Sequence, residues 1–247
     1  MQLRGKTAVV TGAASGFGRA IAAQFLAEGA TVALCDINGD GARAAADALG
    51  GVAITADVTD GASVEAMAVA ATDALGAIDI VVNNAGWSHP NGPLLGVDEA
   101  TFDRVFAVNV KSIFHAVHTF VPRFRAQGGG VFLNVGSTAA LRPRPGLTWY
   151  NASKGAVETL TKSLAVELAG DGIRVNALAP VMGETALLET FMGQADTPEA
   201  RARFVAGIPL GRLSQPGDIA AAAVFMVSDA AEFLTGVSLP VDGGRCV

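Results

Sequence analysis

Short runs of apolar, mostly β-branched residues alternate with alanine-rich stretches of helical periodicity along nearly the whole chain. Several of the apolar runs lack any polar alternation, which is typical of strands that are covered on both faces. The predicted strands are Thr7–Thr11, Thr31–Cys35, Val52–Thr55, Ile78–Val82, Val131–Val135, Arg174–Ala177 and Val237–Val241. The predicted helices are Arg19–Glu28, Ala42–Leu49, Ser63–Leu75, Ala100–Phe124, Ala152–Leu168 and Asp218–Val227.

This regular order has one break. Residues 182–209 contain scattered glycine and proline, with short helix-forming pieces around Leu187 and Ala200. An excursion of this kind late in an α/β chain is commonly a flap over a ligand site. We therefore predict an α/β fold of one domain over residues 1–247, a doubly wound parallel sheet of about seven strands with helices on both faces. Its substrate flap is expected at about 182–209.

Composition and charge argue against several classes of protein. The 247 residues carry 17 Lys+Arg and 23 Asp+Glu, a formal net charge of −6, which argues against nucleic-acid binding. No apolar stretch reaches the ~18–20 residues that span a bilayer, and the start lacks a signal-peptide pattern. We expect a cytoplasmic protein that binds neither nucleic acid nor membrane. Cys35 and Cys246 fit neither a disulfide scaffold nor a zinc ligand set, so no metal site is predicted.

A glycine-rich loop, Thr11–Gly18, follows the first predicted strand and precedes a helix. Glycines there allow a sharp turn and bring backbone N–H groups close to a pyrophosphate at a helix N-terminus. The second strand leads into Asp36, where a carboxylate would accept both hydroxyls of an adenosine ribose. The pattern predicts a dinucleotide site, with an ordinary glycine turn and a turn-forming aspartate as the alternatives.

Asp36 also bears on which dinucleotide binds. A 2′-phosphate beside this carboxylate would place like charges together unless a cation offset them. Ile37, Asn38 and Ser15 supply no such cation. NAD is therefore favoured over NADP.

The only tyrosine of the chain is Tyr150, and Lys154 follows four residues later. On a helix these two side chains share a face, and a nearby cation favours the phenolate. Tyr150 is thus a candidate general acid/base. The alternative is a half-buried aromatic residue beside a solvated lysine. Ser137 lies upstream, at the end of the fifth strand, where a ligand crevice is expected.

Taken together, these motifs resemble the short-chain dehydrogenase/reductase family of the roughly 250-residue type. The matching segments are Thr11–Gly18 (T-G-x-x-x-G-x-G), Asn83–Gly86 (N-N-A-G), Asn109, Ser137 with Tyr150–Lys154 (S…Y-x-A-S-K), and Asp242–Gly244. They follow the family's order and spacing from residue 7 to 244. The resemblance implies a single NAD(P)-binding Rossmann domain.

The resemblance also assigns roles to individual residues. Ser137 would hold the substrate carbonyl, Tyr150 would pass a proton to its oxygen, and Lys154 would bind the nicotinamide ribose and keep the Tyr150 pKa low. Asn109 would position a water in the proton relay, and Asn83 would brace the sheet. The implied cofactor-binding residues are Gly12, Ser15, Gly16, Phe17, Gly18, Asp36, Ile37, Asp57, Val58, Asn84, Ala85, Gly86, Tyr150, Lys154, Pro180 and Thr185.

One position departs from the family pattern. Pro180 and Thr185 keep their places, but Val181 stands where the family usually has glycine. A β-branched side chain there would crowd the nicotinamide side of the pocket. The helices Ala100–Phe124 and Ala152–Leu168 resemble those that build the family's homotetramer.

The sequence thus predicts an oxidoreductase that transfers a hydride between NAD(H) and a small-molecule ketone/secondary alcohol pair. A 3-oxoacyl-carrier-protein reductase is the alternative within the family, and a non-catalytic dinucleotide sensor is the alternative from another class. Arg142 and Arg144, between Ser137 and Tyr150, either face an anionic substrate or are solvated loop charges.

Overall fold

Seven parallel strands form one sheet in the structure, a computed structural model that describes residues 1–247. The strands are β1 (Thr7–Thr11), β2 (Thr31–Asp36), β3 (Val52–Thr55), β4 (Ile80–Asn83), β5 (Gly130–Val135), β6 (Ile173–Pro180) and β7 (Ser238–Val241). Their order in the sheet is β3-β2-β1-β4-β5-β6-β7, and every pairing is parallel. The predicted seven-stranded α/β sheet is confirmed.

Helices cover both faces of this sheet. They are α1 (Gly16–Ala27), α2 (Gly39–Leu49), α3 (Gly61–Leu75), α4 (Glu99–Phe106), α5 (Ser112–Gln127), α6 (Thr148–Leu168), α7 (Leu188–Met192), α8 (Pro198–Val205) and α9 (Pro216–Val227). None of them combines the length and apolar character that a membrane crossing requires.

Successive residues of the central strands pack into two separate apolar cores, one on each face of the sheet. Val10 of β1 belongs to the core that contains Phe25 of α1 and Val224 of α9. Its neighbour Val9 belongs to the core that contains Phe120 of α5. Both faces of β1 are therefore buried, which explains why the strand runs show no polar alternation.

The predicted helix Ala100–Phe124 is helical throughout but changes its geometry in the middle. A π-helical turn, Ala107–Lys111, separates α4 from α5 and contains the buried residue Asn109. The predicted helix is therefore present, but apolar periodicity gives no sign of the π-helical turn within it. Two other boundaries matter for the site: β6 extends to Pro180, and α6 begins early enough to include both Tyr150 and Lys154.

The predicted flap segment, residues 182–209, contains α7 and α8 and covers a small apolar cluster of its own. The buried members of that cluster are Val181, Met182, Leu188, Met192, Ala200, Ile208 and Leu213. Arg201 forms ion pairs with Glu184 and Asp196 on the outer surface, where such pairs contribute little stability. Apolar packing therefore holds the segment against the end of the sheet.

Candidate active site

A cavity of about 630 Å³ opens at the carboxyl ends of the strands. The strand order reverses between β1 and β4, and open α/β sheets bind ligands in the crevice at such a switch point. The wall is formed by the glycine loop, the end of β2, the segment after β4, the loop between β5 and α6, α6 itself and the flap. Topology thus brings distant parts of the chain to one site.

Most of the residues predicted for catalysis or cofactor binding line this cavity. They are Gly12, Ser15, Gly16, Phe17, Asp36, Ile37, Asp57, Val58, Asn84, Ala85, Gly86, Ser137, Tyr150, Lys154, Pro180 and Thr185. Gly18 and Asn109 lie behind the wall instead. Neither forms part of the surface that a ligand would touch, so their place in the site differs from that of the other predicted residues.

The glycine loop leaves the N-terminus of α1 free to receive an anion. Gly12 and Gly16 have φ angles of +65° and +56°, which a residue with a side chain rarely adopts. Ser15 makes no side-chain cap, and the first turn of α1 contains no acidic residue. Unpaired N–H groups and the positive end of the helix dipole therefore face the loop without an internal counter-charge. This arrangement fits the pyrophosphate of a dinucleotide.

Gly18 serves close packing behind the loop. A Cβ atom at this position would overlap the Gly12 carbonyl oxygen and the Asn84 side-chain amide. The Asn84 Nδ2 atom donates to the carbonyl oxygens of Thr11 (2.8 Å) and Gly12 (3.2 Å). Asn84 thus holds the loop in shape as well as lining the cavity, a role that its position in the N-N-A-G motif did not indicate.

The Asp36 carboxylate lies where β2 ends and is already oriented by two backbone amides. Its Oδ2 accepts from the Ala14 N–H (3.0 Å), and its Oδ1 accepts from the Asn38 N–H (2.9 Å). No lysine or arginine forms an ion pair with it. The sequence suggested either a turn-forming aspartate or a ribose-binding one, and Asp36 has the geometry of the first and the cavity position of the second. No cation neutralises its carboxylate.

Tyr150 lies on the first turn of α6, with its ring packed against Phe191 of the flap at 5.0 Å between centroids. Burial raises the pKa of its phenol to about 12, while the neighbouring Ser137 hydroxyl and the Arg144 cation lower it by less. Burial disfavours the charged phenolate because the low-dielectric surroundings solvate it poorly. The phenol therefore holds its proton at neutral pH in this structure.

Lys154 lies one turn after Tyr150 and is buried. Its Nζ atom donates to the Val135 carbonyl oxygen (2.8 Å) and lies 5.8 Å from the centre of the Tyr150 ring. Burial lowers the pKa of this ammonium to about 8, against a smaller raising effect of the Glu158 carboxylate. The expectation that Lys154 depresses the Tyr150 pKa is not met here, because burial of the phenol outweighs every favourable charge.

Asn109 braces the site from behind. Its Oδ1 accepts from the Trp87 N–H (2.8 Å), and its Nδ2 donates to the Trp87 carbonyl oxygen (2.9 Å) and to Ser153 Oγ (3.0 Å). Ser153 Oγ in turn donates to the Tyr150 carbonyl oxygen (2.7 Å). The π-helical turn thus connects the segment after β4 to the start of α6. Asn83 pairs with Asn134 across the sheet, as predicted for a bracing residue.

The flap side of the cavity is formed around β6. Val181, the residue that departs from the family pattern, is buried in the apolar cluster of the flap and also lines the cavity. The Thr185 methyl group lies close to Gly16, at 3.4 Å from where a Cβ of that glycine would stand. The flap therefore contacts the glycine loop directly.

Several lining residues were not predicted from the sequence. Trp87, Arg104 and Leu147 all contribute to the wall. None belongs to a spaced motif, so only the tertiary structure reveals them. No group of three or more His, Cys, Asp or Glu side chains is placed to hold a metal ion.

Comparison with known proteins identifies this architecture. Residues 12–245 match the family described as Enoyl-(Acyl carrier protein) reductase. A 4-formylbenzenesulfonate dehydrogenase of Comamonas testosteroni is 50% identical over 253 residues, covering 99% of both chains. A 2-(R)-hydroxypropyl-CoM dehydrogenase of Xanthobacter autotrophicus is 39% identical over 248 residues, covering 96% of this chain and 97% of the relative. A 3-ketoacyl-(acyl-carrier-protein) reductase from Brucella melitensis, crystallised with NADH, has a TM-score of 0.94 at 44% identity and covers 99% and 100% of the two chains.

These matches extend over nearly the whole chain and include the parts that form the cavity. The relatives are dehydrogenases and a reductase, and the solved neighbour contains a dinucleotide. The sheet, the glycine loop and the cavity at the switch point fit a dinucleotide cofactor in this chain as well. The chain therefore belongs to the short-chain dehydrogenase/reductase family and is an oxidoreductase.

Proposed function

We propose that this protein is an NAD(H)-dependent dehydrogenase that interconverts a small ketone and its secondary alcohol, with Tyr150 as the general acid and base. One observation carries the proposal: Asp36 and Tyr150 line the same cavity. Asp36 is the last residue of β2, and Tyr150 lies on α6, the helix that follows β5. Strands β2 and β5 are three strand spacings apart, about 14 Å at ~4.8 Å per spacing. That separation suits a dinucleotide with its adenosine ribose at Asp36 and its nicotinamide near Tyr150.

The nicotinamide of a bound cofactor supplies the hydride donor or acceptor. The residues of this chain hold and orient it: the N-terminus of α1 binds the pyrophosphate, Asp36 accepts the adenosine ribose hydroxyls, and Lys154 binds the nicotinamide ribose. Ser15, Gly16 and their loop neighbours form the floor of that site. The flap, through Thr185 and its neighbours, excludes water from the reacting end.

Tyr150 moves the proton. In ketone reduction its phenol O–H donates to the substrate oxygen, and in alcohol oxidation its oxygen takes the proton back. The Ser137 hydroxyl, which lies beside the phenol, holds the same substrate oxygen in place. Asn109 keeps the helix turn of Tyr150 in position through Ser153.

NAD is the proposed dinucleotide. The Asp36 carboxylate has no cationic partner and would repel a 2′-phosphate. The neighbour from Brucella melitensis, at 44% identity, was crystallised with NADH, which supports the same choice.

The proposed activity is tested by nicotinamide absorbance with purified protein. We expect turnover of at least one of the pairs 1-phenylethanol/acetophenone and cyclohexanol/cyclohexanone with NAD(H), and about tenfold or more slower turnover with NADP(H). 4-Formylbenzenesulfonate is assayed beside these pairs. The arylsulfonate aldehyde is included because a 50% identical relative is named for it. Tight NADH binding without turnover of any compound would favour the non-catalytic sensor instead.

A 3-oxoacyl-carrier-protein reductase is a second candidate, favoured by the name of the 44% identical neighbour. A carrier protein is acidic and needs a basic docking face, whereas this chain has a net charge of −6. Adding an acetoacetyl-carrier protein to the same assay discriminates the two. A kcat/KM far above that of the free ketones would replace the small-molecule assignment.

We also propose that the protein is a homotetramer built through α5 and α6. Both helices carry a large apolar side chain that a monomer would leave in water: Phe114 is 54% exposed and Val166 is 82% exposed. Burial of such residues drives association. Light scattering during size-exclusion chromatography should give about four times the 24.9 kDa chain mass. A monomer mass at micromolar concentration would contradict the proposal.

A further inference from the structure

Three cations line the cavity, Arg104, Arg144 and Lys154, and none of them forms an ion pair. Lys154 donates to the Val135 carbonyl oxygen and Arg104 stacks on the Trp87 ring, whereas Arg144 has weaker partners. Arg144 lies on the loop between β5 and α6 and lines the cavity with Tyr150. It forms no ion pair, and the only hydrogen bond of its guanidinium is to the Met182 sulfur, at 3.8 Å. Its other neighbour is the Phe204 ring, whose centre lies 5.5 Å away. A thioether and an aromatic face are weak partners for a cation, so most of its donors are left to a ligand.

The surroundings of Arg144 disfavour a guanidinium cation that has no counter-charge. Burial lowers its pKa, as does a second cation, Arg245, and only Tyr150 and Cys246 act the other way. Arg245 has its own Nη1 atom buried without a hydrogen-bond partner. Neither of these half-buried arginines forms an ion pair, although arginines removed from water are normally paired with an acid. An anion bound here would accept hydrogen bonds from guanidinium N–H groups that have no acceptor within the chain.

The loop that carries Arg144 is held before any ligand binds. The Asn151 Nδ2 atom donates to the Arg144 carbonyl oxygen (2.8 Å), and the Asn91 Nδ2 atom donates to the Pro145 carbonyl oxygen (3.0 Å). The Gly92 N–H also donates to Gly146 (3.1 Å). A braced backbone lowers the ordering cost of binding, which distinguishes Arg144 from a mobile surface charge.

The wall between Arg144 and the phenol is apolar. Ala139 and Leu147 pack with Tyr150, and Phe191 lies against the Tyr150 ring. The acidic residues of the cavity, Asp36 and Asp57, belong to the adenosine side. A ligand that reached from the phenol to the guanidinium would therefore have an apolar body and a negative end.

We propose that the substrate is an anion with an apolar body such as a benzene ring. Arg144 binds a sulfonate or carboxylate group at one end of that body, and Tyr150 exchanges a proton with the carbonyl or hydroxyl group at the other end. This inference rests on the proposed function only for the reacting end. The anion subsite itself is tested by binding, without turnover.

The experiment measures binding of benzenesulfonate to the protein with NADH by calorimetry, in wild type, Arg144→Met and Arg144→Lys. We expect the Kd to rise about 30-fold in Arg144→Met and less in Arg144→Lys, which keeps the charge but loses the planar fork. Benzenesulfonamide, a neutral ligand of the same shape, should bind at least about tenfold more weakly than the sulfonate and should not respond to either variant.

Arg142→Met is the matched control, since Arg142 is exposed on the same loop, donates to the Arg245 carbonyl oxygen and does not line the cavity. Its Kd for benzenesulfonate should stay within about twofold of wild type. Unfolding of ligand-free Arg144→Met should occur at the wild-type temperature or above, because an unpaired desolvated charge is removed.

Equal binding of sulfonate and sulfonamide, or an unchanged Kd in Arg144→Met, would overturn the inference. The assay for the reaction is separate: turnover of acetophenone and of 4-acetylbenzenesulfonate with NADH. If the protein binds benzenesulfonate through Arg144 but reduces neither ketone, the proposed dehydrogenase function fails and the anion subsite stands. If it reduces acetophenone but binds benzenesulfonate no more tightly than benzenesulfonamide, the function stands and the subsite fails.

Discussion

Replacing Tyr150 with phenylalanine should lower kcat by about 10³-fold or more while leaving the Kd for NADH within about threefold of wild type. The change removes the O–H group, which is the proton carrier, and such groups contribute about 10²–10⁴-fold to rate. The ring packs against Phe191, Ala139 and Leu147, and phenylalanine keeps those contacts. Steady-state kinetics and NADH fluorescence titration measure the two quantities.

Trp149→Phe provides the matched control, because Trp149 precedes Tyr150 on the same helix turn and packs edge-on against Phe102 (5.3 Å) outside the cavity. Its kcat should stay within about threefold of wild type. A Tyr150→Phe protein that keeps near-wild-type turnover would remove the phenol from the mechanism.

The high pKa of Tyr150 adds a directional expectation. Burial raises it to about 12, so the protonated form dominates at neutral pH. Reduction uses that form and should not gain from higher pH, whereas oxidation uses the phenolate, whose population grows about tenfold per pH unit below the pKa. Alcohol oxidation should therefore accelerate between about pH 7 and 9, and a flat oxidation profile would contradict Tyr150 as the base.

Asp36→Asn should change the NAD/NADP preference by about 100-fold. Loss of the charged acceptor for the ribose hydroxyls should weaken NAD binding about tenfold, and loss of like-charge repulsion should improve NADP binding by a similar factor. The amide oxygen can accept from only one of the two backbone N–H groups that now orient the carboxylate, and the amide NH2 group cannot accept from the other. Kd values for NADH and NADPH by fluorescence titration give the ratio.

Asp40→Asn is the control for this change in charge. Asp40 is exposed in the first turn of α2, close to Asp36 in sequence but outside the cavity. The NAD/NADP ratio should stay within about twofold there, because solvent screens an exposed charge. An unchanged NAD/NADP ratio in Asp36→Asn would mean that another group distinguishes the adenosine ribose of NAD from that of NADP.

Local sequence patterns predicted the architecture of the sheet and much of the cavity wall. Unbroken apolar runs predicted strands buried on both faces, and the two cores formed around Val9 and Val10 show why. The glycine loop, Asp36 and the Ser137–Tyr150–Lys154 set were predicted because each chemistry imposes its own residue types at a characteristic spacing. Asp36, Ser137, Tyr150 and Lys154 line the cavity, and so do Gly12, Ser15, Gly16 and Phe17 of the loop.

What the pattern missed depends on chain geometry in three dimensions. The π-helical turn at Asn109 adds one residue to a helix without changing its apolar periodicity, and only the fold shows that this side chain bonds to Trp87 and Ser153. The Tyr150 pKa was expected to be low from its spacing to Lys154. Burial reverses the direction, and burial is a property of the whole packed site rather than of any pair of positions.

The sequence by itself determined the family, the strand and helix order and the set of candidate reacting side chains, because those depend on short-range periodicity and on motifs. Only the tertiary structure decided where Arg144 points, because the sequence around a loop arginine does not show whether its side chain is solvated or half-buried. Its braced backbone, its missing acid partner and its neighbour Tyr150 come from segments far apart in the chain. Substrate choice depends on such contacts, and they exist only after the flap and the sheet have packed together.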